Sequence, residues 1–289
     1  MNKSSVAPTE PQPLFYVKHG QGQPLLLLHG FPQNHRIWEE VCAGLSDEYT
    51  LVMPDLRGYG ASPKPDSDPE HLTYSKRAMA SDLAALMTGL GFDRFGVVGH
   101  DRGGRVAHRL AADHCERVSR LMTLDISPTL AMYEQTNMTF AAGYWHWFFL
   151  VQAAPLPETM IGRDPSFYME QFMAKRHPGR HIFAPHRWQS YFDGLSDPAC
   201  LHAMCEDYRA SIGIDLEHDR HDKQAGFKLP MPLRVLWGQH GMIQKCFDPL
   251  ADWAAVAETV SGRALDGGHY LPEECAQEVI GEIRVFFAD

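Results

Sequence analysis

A short glycine-rich turn between a strand and a helix is the feature that most constrains the fold of this chain. The apolar run Phe95–Val98 is followed at once by Gly99-His100-Asp101-Arg102-Gly103, and a helix-forming stretch begins at Arg105. In a Gly-x-Asp-x-Gly turn of this kind the central residue adopts a strained backbone conformation, and bulkier residues at the outer positions would clash. Asp101 is therefore predicted to project from the end of a strand, where a nucleophile is placed.

Strand-like and helix-like segments alternate on both sides of this turn. β-rich runs occur at 25–28 and 50–55, a helical stretch runs from about Tyr74 to Leu90, and a further strand covers Arg120–Ile126. The alternation resumes at 233–237 and continues to a final helix. This pattern predicts an α/β fold with a mostly parallel sheet flanked by helices.

The alternation is interrupted between residues 128 and 227, where aromatic residues, His, Met and Pro dominate. We predict that 128–227 is a helical cap inserted into one α/β core formed by 14–127 and 228–289. Residues 1–13 are polar and Pro-rich and are predicted to be flexible. A chain of 289 residues is long enough for a single core with such an insertion.

The composition restricts which binding partners and which cellular compartment we expect. A net charge of −10 and the lack of a Lys/Arg tract oppose binding to nucleic acid or to an anionic membrane. Six cysteines without CxxC pairing argue against a zinc site and a disulfide framework. The N-terminal segment lacks the apolar core of a signal peptide. We expect a cytoplasmic protein without a metal or another cofactor.

The carboxylate at the centre of the turn predicts the chemistry. Esterases and lipases carry Ser at this position, whereas a carboxylate attacks saturated carbon and forms an alkyl ester. The expected substrates therefore carry a leaving group on sp³ carbon or are epoxides. Water must then cleave the ester, which requires a base, a group that orients the base, and an oxyanion hole.

Two residues are predicted to complete a triad with the nucleophile. His269 lies on a glycine-flanked loop between the last core strand and the last helix, the place of the base in such folds. Asp125 is selected as the acid by elimination, because the run after the strand 233–237 has no carboxylate before Asp248. The alternative is that Asp125 only caps the turn before Pro128.

The oxyanion hole is predicted to use main-chain N–H groups. One comes from the residue after the nucleophile, Arg102, and the other from Phe31 in the loop His29-Gly30-Phe31-Pro32.

Seven motifs together resemble the fluoroacetate dehalogenases, the haloacetate-dehalogenase branch of the α/β-hydrolases. They are HGFPQ, DLRGYG, GHDRGGR, LDISPT, YWHWFFL, CEDYRA and GGHYLPEE. The resemblance runs from about Phe15 to the C-terminus and is weak around Glu170 to Tyr191. It implies an α/β-hydrolase with a cap that converts fluoroacetate or a related short 2-haloacid to the 2-hydroxyacid, and commonly a homodimer.

The resemblance also implies roles for residues beside the triad. Arg102 and Arg105 would hold the substrate carboxylate, and His146, Trp147 and Tyr208 would surround the departing halide. Donors of this type suit fluoride as charge develops on it. The alternatives are packing of an aromatic cap helix and solvent-facing arginines at a helix start, although the helix dipole disfavours cations there.

Other functions remain open from the sequence. An epoxide hydrolase shares the nucleophile, base and cap, but Arg102 after Asp101 favours a carboxylate substrate, and a haloalkane dehalogenase is disfavoured for the same reason. A noncatalytic ligand receptor on the same fold is the alternative from another class. The cap stretch 173–177 is expected to line the entrance or the pocket, so that substrate size could differ from fluoroacetate.

Overall fold

The computed structural model describes residues 10–288, so most of the segment 1–13 that is predicted to be flexible lies outside the described residues. One sheet of seven strands has the order β1-β3-β2-β4-β5-β6-β7, and β1 alone runs antiparallel to its neighbour. The strands are β1 Tyr16–His19, β2 Gln23–Leu28, β3 Tyr49–Pro54, β4 Phe95–His100, β5 Val118–Leu124, β6 Leu233–Gly238 and β7 Val260–Leu265.

Helices cover both faces of the sheet, which explains why the central strands are continuous apolar runs: β3 and β4 are buried at every position. The helices of this part are α1 Glu39–Leu45, α2 Lys76–Gly89, α3 Arg102–Asp113, α12 Met242–Cys246, α13 Pro249–Ala254, α14 Leu271–Glu274 and α15 Ala276–Phe287, with 3₁₀ turns at His35–Trp38 and Leu72–Tyr74. No helix in residues 10–288 is both long and apolar enough to cross a membrane.

The chain between β5 and β6 is helical. Its helices are α4 Thr129–Glu134, α5 Met138–Gly143, α6 Trp145–Leu150, α7 Leu156–Arg163, α8 Pro165–Met169, α9 Pro185–Ser196, α10 Pro198–Ile212 and α11 Ile214–Ala225, with a π-helical turn at Glu170–Ala174 and a 3₁₀ turn at Arg180–Ile182. The predicted α/β fold with an inserted helical segment is therefore confirmed. The domain boundaries at 128 and 227 stay a prediction.

Two element ends differ from the prediction in ways that matter for the site. β5 ends at Leu124, two residues before the predicted end, so Asp125 lies just outside the strand. The final helix, predicted around Glu274 to Phe287, begins at Ala276, because Cys275, whose φ and ψ of −127° and 38° are not helical, separates it from α14. The short helix α14 that results begins two residues after His269.

The parallel register brings the ends of four strands together. Gly99 in β4 pairs with Thr123 in β5, and Leu124 in β5 pairs with Leu236 in β6. Since parallel strands place their carboxyl ends at one edge, the residues that follow β2, β4, β5 and β7 meet there.

Candidate active site

Asp101 lies on a strained turn between β4 and α3. Its φ of 47° and ψ of −116° are rarely adopted by a residue other than glycine. A Cβ on Gly99 would lie 2.6 Å from the Gly103 carbonyl oxygen, and a Cβ on Gly103 would lie 2.3 Å from that of His29. Both glycines are thus required by backbone packing, as the sequence predicts.

The carboxylate of Asp101 is buried and oriented by main chain. The Phe31 amide donates to its Oδ2 at 3.1 Å, which places one predicted oxyanion-hole donor at the predicted nucleophile. Arg102, the other predicted donor, begins α3. Burial by itself raises the pKa of Asp101, but the nearby His269, His100 and arginine side chains outweigh it and lower the pKa below its ordinary value.

His269 and Asp125 lie together at the same edge of the sheet, 144 positions apart in the chain. His269 Nδ1 lies 2.6 Å from Asp125 Oδ2, and the Gly238 amide donates to Asp125 Oδ1 at 3.0 Å. Burial lowers the pKa of His269 and raises that of Asp125. Neutral His269 can therefore donate from Nδ1 to Asp125 and accept a proton at Nε2.

His100 supports the loop that carries His269, a contact that sequence reasoning missed. Its Nε2 lies 2.7 Å from the carbonyl oxygen of His269, and the two rings lie 4.9 Å apart. Burial lowers the pKa of His100 to about 4, so the ring is neutral and can donate this hydrogen bond. Its position next to Asp101 is the one sequence signal that could have found it.

Arg102 is fully buried rather than facing solvent. It donates from Nε to Asp207 Oδ2 at 3.0 Å and from Nη2 to Asp207 Oδ1 at 2.6 Å, while Lys76 forms a second ion pair with Asp207. Its Nη1 is buried without a partner among the described residues. One edge of this guanidinium is thus bound to Asp207, and the other edge is free to donate to a ligand.

Arg105 is also buried, but its hydrogen bonds go to uncharged groups. It donates to the Ser127 carbonyl at 3.3 Å and to Thr129 Oγ1 at 3.0 Å. Its Nε has no partner in the part of the chain that the structure describes. The alternative interpretation of the sequence, in which both arginines face solvent at the start of a helix, is therefore wrong for both residues.

The three side chains predicted to surround the halide converge on these arginines. His146 and Trp147 lie on α6 and Tyr208 lies on α10, and all three are buried. The Arg102 guanidinium lies 4.1 Å from the Tyr208 ring centroid, and that of Arg105 lies 4.6 Å from Trp147. His146 Nδ1, Trp147 Nε1 and Tyr208 Oη have no hydrogen-bond partner among residues 10–288.

Neither a metal cluster nor a disulfide lies in the described part of the chain. No group of three or more His, Cys, Asp or Glu among these residues could hold a metal ion. All six cysteines are free thiols.

A nucleophile, a base and its orienting acid at the carboxyl edge of a parallel sheet define an α/β-hydrolase. The chain belongs to this family, since the family model described as alpha/beta hydrolase fold matches residues 23–274. A fluoroacetate dehalogenase from Burkholderia sp is 44% identical over 271 residues, 93% of this chain and 88% of that protein. The predicted resemblance is thus confirmed.

Other relatives are also similar over nearly the whole length. A soluble epoxide hydrolase from Corynebacterium sp. (strain C12) is 33% identical over 279 residues, covering 95% of this chain and 93% of that protein. A crystal structure from Nostoc sp PCC 7120, provisionally described as an alpha/beta hydrolase, has a TM-score of 0.93 and 47% identity, covering 96% of this chain and 97% of its own. The protein is therefore a hydrolase of this family.

Proposed function

We propose that this hydrolase is a dehalogenase that converts fluoroacetate or a related short 2-haloacid to the 2-hydroxyacid and halide. The observation that carries the proposal is the set of buried donors without partners on His146, Trp147 and Tyr208. Leaving a buried donor unpaired costs about 1–3 kcal/mol. Three such donors beside two arginines support a ligand that accepts hydrogen bonds as it becomes negatively charged, and a departing halide does both.

The carboxylate of a haloacid supplies the anion that Arg105 lacks and an acceptor for the free Nη1 of Arg102. Arg105 bonds to neutral oxygens, and Arg102 keeps Nη1 free beyond its ion pair with Asp207. Because a buried charge without a counterion is costly, an anionic substrate is favoured over a neutral haloalkane.

The first chemical step is displacement at the halogen-bearing carbon. Asp101 Oδ2 accepts from the Phe31 amide, which leaves Oδ1 free to attack. A bond forms between Oδ1 and carbon, the carbon–halogen bond breaks, and the halide leaves with the electron pair. The lowered pKa of Asp101 supports an ionised nucleophile, and the three free donors stabilise the charge that grows on the halide.

The second step is hydrolysis of the ester on Asp101. His269 takes a proton from water, the resulting hydroxide attacks the ester carbonyl, the bond from this carbon to the alcohol oxygen breaks, and that oxygen takes the proton of the attacking hydroxyl, so that the 2-hydroxyacid and the Asp101 carboxylate form. The oxyanion develops on Oδ2, which the Phe31 amide already contacts at 3.1 Å. Asp125, 2.6 Å from His269 Nδ1, stabilises the imidazolium.

Halide release from haloacids tests the function directly. Purified protein is incubated with fluoroacetate, chloroacetate and 2-chloropropanoate, and halide and 2-hydroxyacid are quantified in parallel. We expect equal amounts of both products. An absence of halide together with opening of a simple epoxide would overturn the proposal, and so would inertness toward every substrate, which would favour a noncatalytic receptor.

The His269→Asn variant tests the order of steps. Alkylation of Asp101 needs no base but ester hydrolysis does, so we expect turnover to fall roughly 10²–10⁴-fold while the ester accumulates. Intact mass spectrometry after incubation with chloroacetate should show one carboxymethyl group, located on Asp101 by peptide mapping. His221→Asn, at an exposed histidine, is the matched control and should turn over normally. An unmodified His269→Asn protein would contradict the mechanism.

Epoxide hydrolysis is the second candidate, and one observation favours it. The hydroxyls of Tyr133 and Tyr208 are buried without partners among the described residues and could protonate an opening epoxide oxygen. The buried Arg105 without a carboxylate partner counts against a neutral epoxide. Epoxide opening without halide release in the assay above would favour this candidate.

A further inference from the structure

Arg176 is a third cation at the site, and none of the functions above uses it. It follows the π-helical turn Glu170–Ala174, in the stretch where the sequence resemblance is weak. The guanidinium lies 4.3 Å from the ring centroid of Phe172 and 5.3 Å from that of Tyr144. Its Nη2 is buried and has no hydrogen-bond partner in the described residues. Aromatic rings therefore surround the charge of Arg176.

The position of Arg176 gives it access to the reacting groups. With Tyr144, Gly268 and His269 it lines a cavity of about 250 Å³ that opens to the surface beside the catalytic base. The charge of Arg176 contributes, after burial, to lowering the pKa of His269, and Asp101 is among the groups that raise the pKa of Arg176. A group bound at Arg176 would therefore lie on the His269 side of the nucleophile.

The balance of charges around Asp101 favours the binding of a second anionic group of the substrate. Asp207 forms an ion pair with Arg102, Asp125 accepts from neutral His269, and Arg176 forms no ion pair with any described residue. When Asp101 becomes an ester it loses its negative charge, and Arg105 and Arg176 then face the bound organic group together. A single substrate carboxylate compensates one of these two cations.

The four bonds of the reacting carbon point to the place of that anion. The halogen leaves opposite Asp101, toward the donors on His146, Trp147 and Tyr208, and the carboxylate lies at the α3 arginines. Of the two remaining bonds one carries hydrogen, and a substituent on the other would enter the cavity beside Tyr144 and His269 when it faces that wall.

Resting on the proposed dehalogenase function, we propose that Arg176 binds an acidic group on this substituent, so that the enzyme prefers 2-halodicarboxylates of the 2-halosuccinate type. The reaction is the same displacement: Asp101 Oδ1 bonds to C2, the halide leaves with the electron pair, and water cleaves the ester to give 2-hydroxysuccinate and a protonated His269, which returns its proton to solvent.

Two substrates of nearly equal size measure the preference. Racemic 2-chlorosuccinate and racemic 2-chlorobutanoate differ in a terminal carboxylate against a methyl group, and chloroacetate serves as the reference. A buried hydrogen-bonded charge is worth about tenfold to a hundredfold in discrimination. We expect kcat/KM of the wild-type protein for 2-chlorosuccinate to exceed that for 2-chlorobutanoate by about tenfold or more.

Variants assign the preference to Arg176. In Arg176→Gln the ratio of the two kcat/KM values should fall roughly tenfold, toward one, and Arg176→Lys should restore part of it. Lys175→Gln alters an exposed neighbour in the same stretch and should keep the wild-type ratio. A ratio that is unchanged in Arg176→Gln overturns the inference.

Inhibition of the wild-type protein is a second measurement that does not depend on the folding of a variant. Succinate should inhibit chloroacetate turnover about tenfold more strongly than butanoate, and equal inhibition counts against the proposal. If chloroacetate is turned over but 2-chlorosuccinate is not, this inference fails and the dehalogenase function stands. If no haloacid releases halide, both fail together.

Discussion

At the scale of single residues, burial keeps His269, the proposed base, neutral, whereas neighbouring groups keep Asp101, the proposed nucleophile, ionised although it is buried. Burial lowers the pKa of His269 from its ordinary 6.5, because the cationic imidazolium is poorly solvated there. At Asp101 the charges of Arg105 and Arg102 oppose burial, and the pKa falls below 3.8. Both pKa shifts favour activity at acid pH, because Asp101 stays ionised and His269 stays neutral there.

These shifts predict the pH dependence of turnover. His269 must be neutral to accept a proton from water, and its lowered pKa keeps it neutral below pH 6.5. We expect kcat for chloroacetate to stay level as pH falls through 6.5 and to decline only at lower pH. Glycolate formation followed by chromatography from about pH 4.5 to pH 9 measures the profile. An acid limb centred at or above 6.5 would contradict the assignment.

The residues that the sequence could identify are those with a local signal. Asp101 and His269 lie in glycine-containing loops at the ends of strands, and their positions follow from chain order. Asp207 and His100 carry weaker signals, because their roles depend on contacts made after folding, and His100 is marked only by its place next to Asp101. Asp207 meets Arg102 across 105 positions of the chain.

At the scale of elements, the turn between β4 and α3 decides where the nucleophile lies. Its close packing explains why glycine is needed at Gly103: an added Cβ would lie 2.3 Å from the His29 oxygen and 2.5 Å from that of Leu28. These are backbone atoms of the adjoining strand and loop, so they cannot move aside without displacing the oxyanion hole.

A pair of glycine substitutions tests this account. Gly103→Ala should destabilise the protein by about 1–3 kcal/mol through overpacking and should abolish most turnover, because Phe31 is displaced from Asp101. Gly281→Ala in α15, an exposed position where a Cβ meets nothing within 4 Å, should raise stability by about 0.5–1 kcal/mol. Urea denaturation and chloroacetate turnover measure both. Equal effects of the two changes would refute the steric explanation.

The inserted helices complete the site by bringing distant segments over the nucleophile. His146 and Trp147 lie on α6 and Tyr208 lies on α10, and the chain between these two helices forms five other elements. The aromatic composition of this region predicts helices. It does not predict which side chains face Asp101, since both α6 and α10 also contribute to the hydrophobic core.

At the scale of the whole molecule, Glu273 joins the core to the inserted helices. Its carboxylate accepts from Gln33 at 2.6 Å and from the Tyr191 hydroxyl of α9 at 3.2 Å, and Arg187 Nε lies 3.4 Å away. The side chain of Glu273 is fully buried. Burial raises its pKa from 4.5 to about 8, so this junction is sensitive to pH.

The free energy of unfolding should depend on pH through the ionisation of Glu273. A carboxyl whose folded-state pKa is raised contributes stability that is fully present below its unfolded pKa of about 4.5 and is lost as pH rises through about 8. Between pH 6 and pH 9 we expect wild-type stability to fall relative to Glu273→Gln, which cannot ionise. Glu278→Gln, at an exposed position of α15, should parallel the wild type.

Urea denaturation across this pH range is the measurement. Parallel profiles for wild-type and Glu273→Gln protein would show that Glu273 does not titrate as its burial requires.

The sequence by itself determined the α/β core and the helical insertion, and it predicted Asp101, Asp125 and His269 as a triad, because strand–turn–helix patterns and chain order can be read along the chain without a structure. Only the tertiary structure decided which edge of Arg102 is free, which donors lack partners, and that Arg176 lies beside His269. These properties involve groups that are far apart in the chain. They depend on burial, which sets the charge of each group and its need for a ligand, and burial arises only when the chain packs.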